Sequence, residues 1–184
     1  LYNLQEAEKN GVKLGVYFFS TAISQEEAVE EADWTADFIA QYPITYPVVY
    51  DCEGFTDMDS RQYGMSKAER TDIALAFLKR IEQRGYEGMF YAAKNELQDE
   101  TLWETSRIEK HYKIWVAQFP GDADPAVHTS SYTGDHQMWQ YTMEGSVPGI
   151  SQPVDMNVAY FGYDGVEKPK DETPPAEAFP DVEA

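Results

Sequence analysis

The segment YPVVYDCEGF, residues 46 to 55, places two carboxylates, Asp51 and Glu53, one residue apart at the end of an apolar run. In an extended strand successive side chains point to opposite faces, so Val49, Asp51 and Glu53 share one side while Val48, Tyr50 and Cys52 share the other. Gly54 ends the strand and puts the pair at its C-terminal end, where parallel α/β folds and barrels assemble their sites. At ~3.3 Å per residue the two Cα atoms stand roughly 6.6 Å apart. Two chemistries suit that spacing. Hydrolysis of a glycosidic bond uses paired acids at ~5 to 5.5 Å with retention or ~6.5 to 9.5 Å with inversion, and flexible side chains reach either range. Coordination of a divalent cation through oxygen is the other. A solvated strand end is the alternative that needs no function. The run before the pair is apolar on both faces, which marks a central strand and favours chemistry.

Metal sites of that kind recruit further acids from neighbouring strand ends, and only Asp155, in VDMN, is similarly placed. The other strand ends carry aromatic residues: Tyr17 and Phe19, Tyr91, Trp115, Trp139 and Tyr141. Any one of them alone reads as core packing. Clustered around a few acids, with the amide of Gln140 among them, they make the lining of a sugar-binding cleft. Cys52 falls on the opposite side of its strand and reads as an inert thiol facing a helix layer. A single cysteine excludes an internal disulfide framework and a thiolate zinc site. His111, His128 and His136 lack metal-ligand spacing and read as surface or loop residues.

Alternating strand and helix signals must position these groups. VKLGVYFFS, ending before Thr21, is β-branched and aromatic and predicts a buried strand. Ser24 with Glu27 makes a capping box, and Ala28, Ala32, Thr35, Ala36 and Ile39 recur at helical spacing up to Tyr42, before Pro43. After YPVVYDCEG, a second box pairs Ser66 with Glu69. Ile73, Ala74, Phe77, Leu78 and Ile81 then form one apolar face, with Gly85 at the C-terminal cap. YEGMFYAAK is a third strand, followed by one shorter helix within Asn95 to Lys110. YKIWVAQF, HQMWQYT and PVDMNVAYF follow as strands with little room for helices between them. LYNLQEAEKNG reads as a leading helix ending at Gly11. Strands alternating with helices define an α/β fold with a mostly parallel sheet.

The 184 residues suffice for one domain, and a 42% hydrophobic content argues for a packed core. Residues 165–184 are acidic and proline-rich and read as a tail or linker, extended or disordered on the surface. The formal charge of -19 and pI near 4.3 oppose electrostatic binding of nucleic acid and favour a neutral or mixed-charge ligand. No run approaches the ~20 apolar residues of a membrane helix.

GVYFFS, YDCEG, IWVAQF and MWQYTMEGSVPGISQPVDMN, in this order, resemble glycoside hydrolase family 25, the lysozymes that cleave peptidoglycan as N-acetylmuramidases. The resemblance spans roughly Leu1 to Tyr163. It implies an irregular TIM-like (β/α)5(β)3 barrel occupying residues 1–164, and a retaining muramidase without a cofactor or metal. Glu53 matches the family's proton donor, Asp51 its partner acid and Asp155 the acid of the last strand. Tyr17, Tyr91 and Gln140 match positions lining the family's cleft. Phe19, Trp115 and Trp139 complete the expected substrate-binding set. The expected partner is the glycan strand of bacterial peptidoglycan. No obligate protein partner follows from the resemblance, and it places the protein outside the cell or at the wall. The family often has Y-H-F where this chain has Tyr17, Phe18, Phe19; Phe18 is expected to face away from the cleft. The family also opens with a strand carrying G-x-D-x-S and a second strand, and neither is present here. The barrel is therefore expected to be truncated with its first two strands missing, and the chain made alone to self-associate and lack muramidase activity. A catalytically inactive glycan-binding barrel and a divalent-metal-dependent barrel enzyme stay open as alternatives.

Overall fold

The computed structural model describes residues 1–121 and 123–162; the expected tail, 165–184, lies outside them. One six-stranded sheet runs in chain order: β1 (Leu14–Phe19), β2 (Ile44–Asp51), β3 (Gly88–Ala93), β4 (Lys113–Ala117), β5 (Met138–Gly145) and β6 (Val154–Ala159). Strands β1 to β5 are parallel, and β6 returns antiparallel to β5. Helix α1 (Tyr2–Lys9) precedes β1; α2 (Gln25–Ile39) and α3 (Lys67–Gln83) make the next two crossovers. The sheet curls into a half-barrel whose edges, among the described residues, are β1 and β6.

The two long helices start where side chains satisfy free N–H groups. Ser66 and Glu69 form the full reciprocal box of α3, whose cap at Arg84 is followed by Gly85 with φ 90°. The first box is only half built. Ser24 Oγ accepts from the Glu27 N–H at 3.2 Å, but the Glu27 carboxylate accepts from the Ile23 N–H and from Arg61 instead.

The buried faces follow the apolar spacing. Ile73, Ala74, Phe77, Leu78 and Ile81 on α3 meet Tyr50 and Phe90 from the sheet, and all are at most 2% exposed. Tyr50 lies edge-on to Phe77 at 5.3 Å and stacked on Phe90 at 6.0 Å. Full burial of each such large side chain contributes about 1.5–3 kcal/mol. Phe18 turns away from Tyr17 and packs on Phe77 and Trp34, as alternation requires.

The segment from Asn95 to Lys110 holds two short helices rather than one. These are α4 (Lys94–Gln98) and α5 (Thr105–Glu109). Asp99 Oδ1 accepts from both the N–H and the hydroxyl of Thr101, a local turn that competes with helix. Trp103, at 1% exposure, is then driven between Phe55 and Phe90, which an uninterrupted helix would not allow.

At the base of the half-barrel the chain after β6 reaches back across the open side. The ring of Phe161 packs on Tyr46 at 5.1 Å, Tyr46 Oη donates to the Phe161 carbonyl at 3.2 Å, and Lys13 Nζ donates to the Gly162 carbonyl. Above this clasp both edges stay unpaired among the described residues, and Tyr17 and Phe19 on β1 are 64% and 51% exposed. Such edges template pairing with another chain. The 21.0 kDa chain is expected to self-associate as its concentration rises. Light scattering that gives a monomer at every concentration would refute this.

Candidate active site

Strand β2 ends at Asp51, so Glu53 stands in the loop just beyond it rather than within the strand. Gly54, at φ 66°, then turns the chain away. Across the sheet, Phe19 is level with Asp51, Asp51 with Tyr91, and Tyr91 with Trp115. In-register residues of parallel strands share a face, so this row projects into the concave side of the half-barrel. Tyr17, Asp51, Glu53, Tyr91, Trp115, Gln140 and Asp155 line one cavity of ≈ 90 Å³.

Hydrogen bonds fix the walls. Tyr91 Oη donates to Gln140 Oε1 at 2.9 Å, and Trp115 Nε1 donates to Asn157 Oδ1 at 3.0 Å. The Tyr91 and Trp115 rings meet edge-on at 4.9 Å. Asn157 has no place in the sequence-based site, although it lies two residues from Asp155 on the same face of β6.

Asp51 is 5% exposed and its Oδ1 has no hydrogen-bond partner, whereas Glu53 is exposed at the mouth. Burial, then the charge of Glu53 and a hydrogen bond between the two carboxyls, push Asp51 up to about 8. Near neutrality Asp51 therefore keeps its proton. The Tyr91 phenol is raised by burial and by Glu53, Asp51 and Asp155.

Two expected lining residues stand elsewhere. Phe19 is on the concave face, level with Asp51, but outside the cavity wall. Trp139 is fully buried, and its Nε1 donates to the Gln118 carbonyl at 2.9 Å. The reason is register. Trp139 pairs with Val116 and Gln140 with Ala117, so adjacent residues take opposite faces, and the one that joins Val116 joins the helix-side core. Cys52 faces that same core, donating to Gln62 Oε1 at 3.0 Å, and burial pushes its thiol up to about 12. His136 does sit in a loop but is buried at 3% exposure, its ring 5.9 Å from that of Tyr160 and its Nε2 3.2 Å from Thr129 Oγ1.

One acid near the site escaped the sequence pattern. Glu96, in the first turn of α4, is pushed up to about 7 by burial and then by the charge of Glu53. Its only sequence signal is its place three residues past the end of β3. A larger cavity of ≈ 660 Å³ lies near α5, and two of its three acids are engaged, Glu104 with Arg107 and Glu109 with Tyr132. Among the described residues no group of three or more His, Cys, Asp and Glu side chains is disposed to hold a metal ion, and no helix is long and apolar enough to cross a membrane.

Acids gathered at one end of a curled sheet and walled by aromatic and amide side chains form the kind of cleft expected from the sequence. The sequence matches Glycosyl hydrolases family 25 over residues 2–150, and the chain belongs to that family. No curated protein matches it. Among solved structures it is similar to the modular autolysin LytC of Streptococcus pneumoniae, with 25% identity and a TM-score of 0.69, covering 85% of this chain and 36% of that one. The bacterial lysozyme of Streptomyces coelicolor shares the fold at 22% identity and a TM-score of 0.66, covering 90% of this chain and 75% of that one. The spore cortex lytic enzyme SleM of Clostridium perfringens does so at 21% identity and a TM-score of 0.66, covering 86% and 53%. The chain thus spans about a third of the LytC protein it matches.

Proposed function

We propose that the site hydrolyses peptidoglycan between N-acetylmuramic acid and N-acetylglucosamine, as a retaining muramidase acting outside the cell or at the wall. The observation that carries this reading is the Asp51–Glu53 pair at the mouth of an aromatic-walled cavity that also holds Asp155. Glu53, the exposed member, donates a proton to the leaving oxygen. Asp51 orients the substrate's own acetamido group for attack. Tyr17, Tyr91, Trp115 and Gln140 pack against and hydrogen-bond the sugar rings, and Phe19 extends the platform at the rim. Support comes from the family, and from LytC, which has also been crystallised in complex with a synthetic peptidoglycan ligand.

The test incubates the chain, alone and within any longer product of its reading frame, with purified peptidoglycan. New reducing ends on N-acetylmuramic acid are expected, and their absence in every case overturns the reading. A glycan-binding barrel that does not cut is favoured by one observation, the exposure of Tyr17 and Phe19 on the open concave face. Retention of glycan on the protein without new reducing ends would select it.

A further inference from the structure

Two amide side chains stand side by side at the wall of the cleft. Gln140 on β5 pairs directly with Asn157 on β6, and across the neighbouring strands Gln140 is level with Ala117 and Ala117 with Ala93. In-register residues share a face, so this row crosses the concave side two residues nearer the mouth than the row of Tyr91 and Trp115. Strands β3 and β4 bring only the methyl groups of Ala93 and Ala117 to it, which leaves a small apolar shelf beside the amides. The neighbours fix how the amides are turned. An indole N–H is a donor only, so the Asn157 atom that meets Trp115 Nε1 at 3.0 Å is the carbonyl oxygen. Gln140 Oε1 likewise accepts from Tyr91 Oη at 2.9 Å. Both oxygens are thereby used, and among the described residues neither amide nitrogen donates to a protein acceptor. Residues directly opposed in an antiparallel pair have Cβ atoms about 4.5–5.5 Å apart, so the two NH2 groups lie within reach of a single acceptor. The carboxyl groups of Glu53 and Asp155 in the adjoining cavity oppose an anionic ligand, and a neutral acceptor fits better. A group that joins a carbonyl oxygen to a methyl matches both the donors and the alanine shelf. That group is an N-acetyl.

We propose that Asn157, together with Gln140, is a specificity-determining residue: the two amide nitrogens hold the carbonyl oxygen of an N-acetyl group whose methyl rests on Ala93 and Ala117. The inference rests on the proposed glycan cleft and adds to it a residue outside the sequence-based site. The oxygen held is not the one that attacks, because an oxygen accepting two hydrogen bonds is a weaker nucleophile. It belongs to the neighbouring sugar, nearer the mouth. Asn157 also holds the Trp115 indole, and the two roles separate chemically: an aspartate keeps an oxygen for the indole but has no N–H to give to the sugar.

Calorimetric binding of tetra-N-acetylchitotetraose and of cellotetraose, which has the same backbone with hydroxyls in place of the acetamido groups, tests this without requiring turnover. The parent chain is expected to prefer the N-acetylated oligomer. In Asn157→Asp that preference should fall by about tenfold, the worth of one well-placed hydrogen bond, while the Trp115 indole N–H keeps its NMR resonance. Gln140→Glu spares the bond from Tyr91 in the same way and should lose a similar factor, which keeps the test decisive if the first variant folds poorly. An unchanged preference in both variants overturns the proposal, and so does a parent that binds the two oligomers equally. A preference lost only in Asn157→Leu, which removes the oxygen as well, would mean that Asn157 acts through Trp115 alone, and overturns it too. Failure of the hydrolase reading looks different: peptidoglycan would gain no new reducing ends, while the N-acetyl preference and its loss in Asn157→Asp persist.

Discussion

Glu53→Gln is expected to lower the rate of glycan cleavage by ~10²- to 10⁴-fold, the usual contribution of a positioned general acid. Glutamine keeps the size and polarity of the side chain but has no proton to give to the leaving oxygen. Glu53 is exposed and lies beyond the last hydrogen-bonded residue of β2, so the fold should be indifferent, with stability within about 0.5 kcal/mol of the parent. The substitution also removes the charge that helps hold Asp51 in its neutral form, so Asp51 should titrate lower in the variant. Wall clearing measured beside a denaturant curve separates lost chemistry from lost folding. A variant that clears walls at the parent rate would mean that another group donates the proton.

Trp139→Ala is expected to cost about 3–5 kcal/mol of stability, the range for emptying a fully buried aromatic position. The side chain is 0% exposed, packs against Tyr141 at 5.7 Å and supplies the N–H that satisfies the Gln118 carbonyl. Removing it leaves a void and takes away the indole N–H that the Gln118 carbonyl accepts. Trp115→Ala, by contrast, removes a wall of the cavity and should act mainly on glycan binding. Urea unfolding and glycan affinity, measured on both variants, should give opposite patterns. If Trp139→Ala unfolds at the parent midpoint but binds glycan poorly, Trp139 belongs to the cleft after all.

That contrast shows what the sequence can carry. All six strands, both long helices and the facing of Val49, Asp51 and Glu53 were legible, because period-two and period-3.6 patterns are local and the capping residues stand beside the elements they start. Trp139 was misread because two neighbouring aromatic and amide residues, Trp139 and Gln140, were both given to the cleft. Alternation forbids that, and only the pairing with Val116 and Ala117 decides which of them enters. Glu96 was missed for another reason: a lone acid early in a five-residue helix has no periodic signature, and its nearness to Glu53 arises from two strands lying side by side. The burial of His136 likewise depends on Thr129, from the same loop, and on Tyr160, brought to it by the return of β6.

The clasp at the base has a mechanical meaning. Asp155 stands at the far end of β6 from Phe161, and six residues of strand at ~3.3 Å each make an arm of roughly 20 Å between them. Because Phe161 is seated on Tyr46, at the foot of β2, the contact ties the strand that carries Asp155 to the strand that carries Asp51 at their common base. A Cβ at Gly162 would lie 2.6 Å from the Tyr46 hydroxyl, so the joint is close-fitting and tolerates no added bulk. A rotation of about five degrees there would swing the tip by nearly 2 Å over an arm of that length. The two acid-bearing strands are thus joined by a ring contact at the end of the sheet opposite the acids.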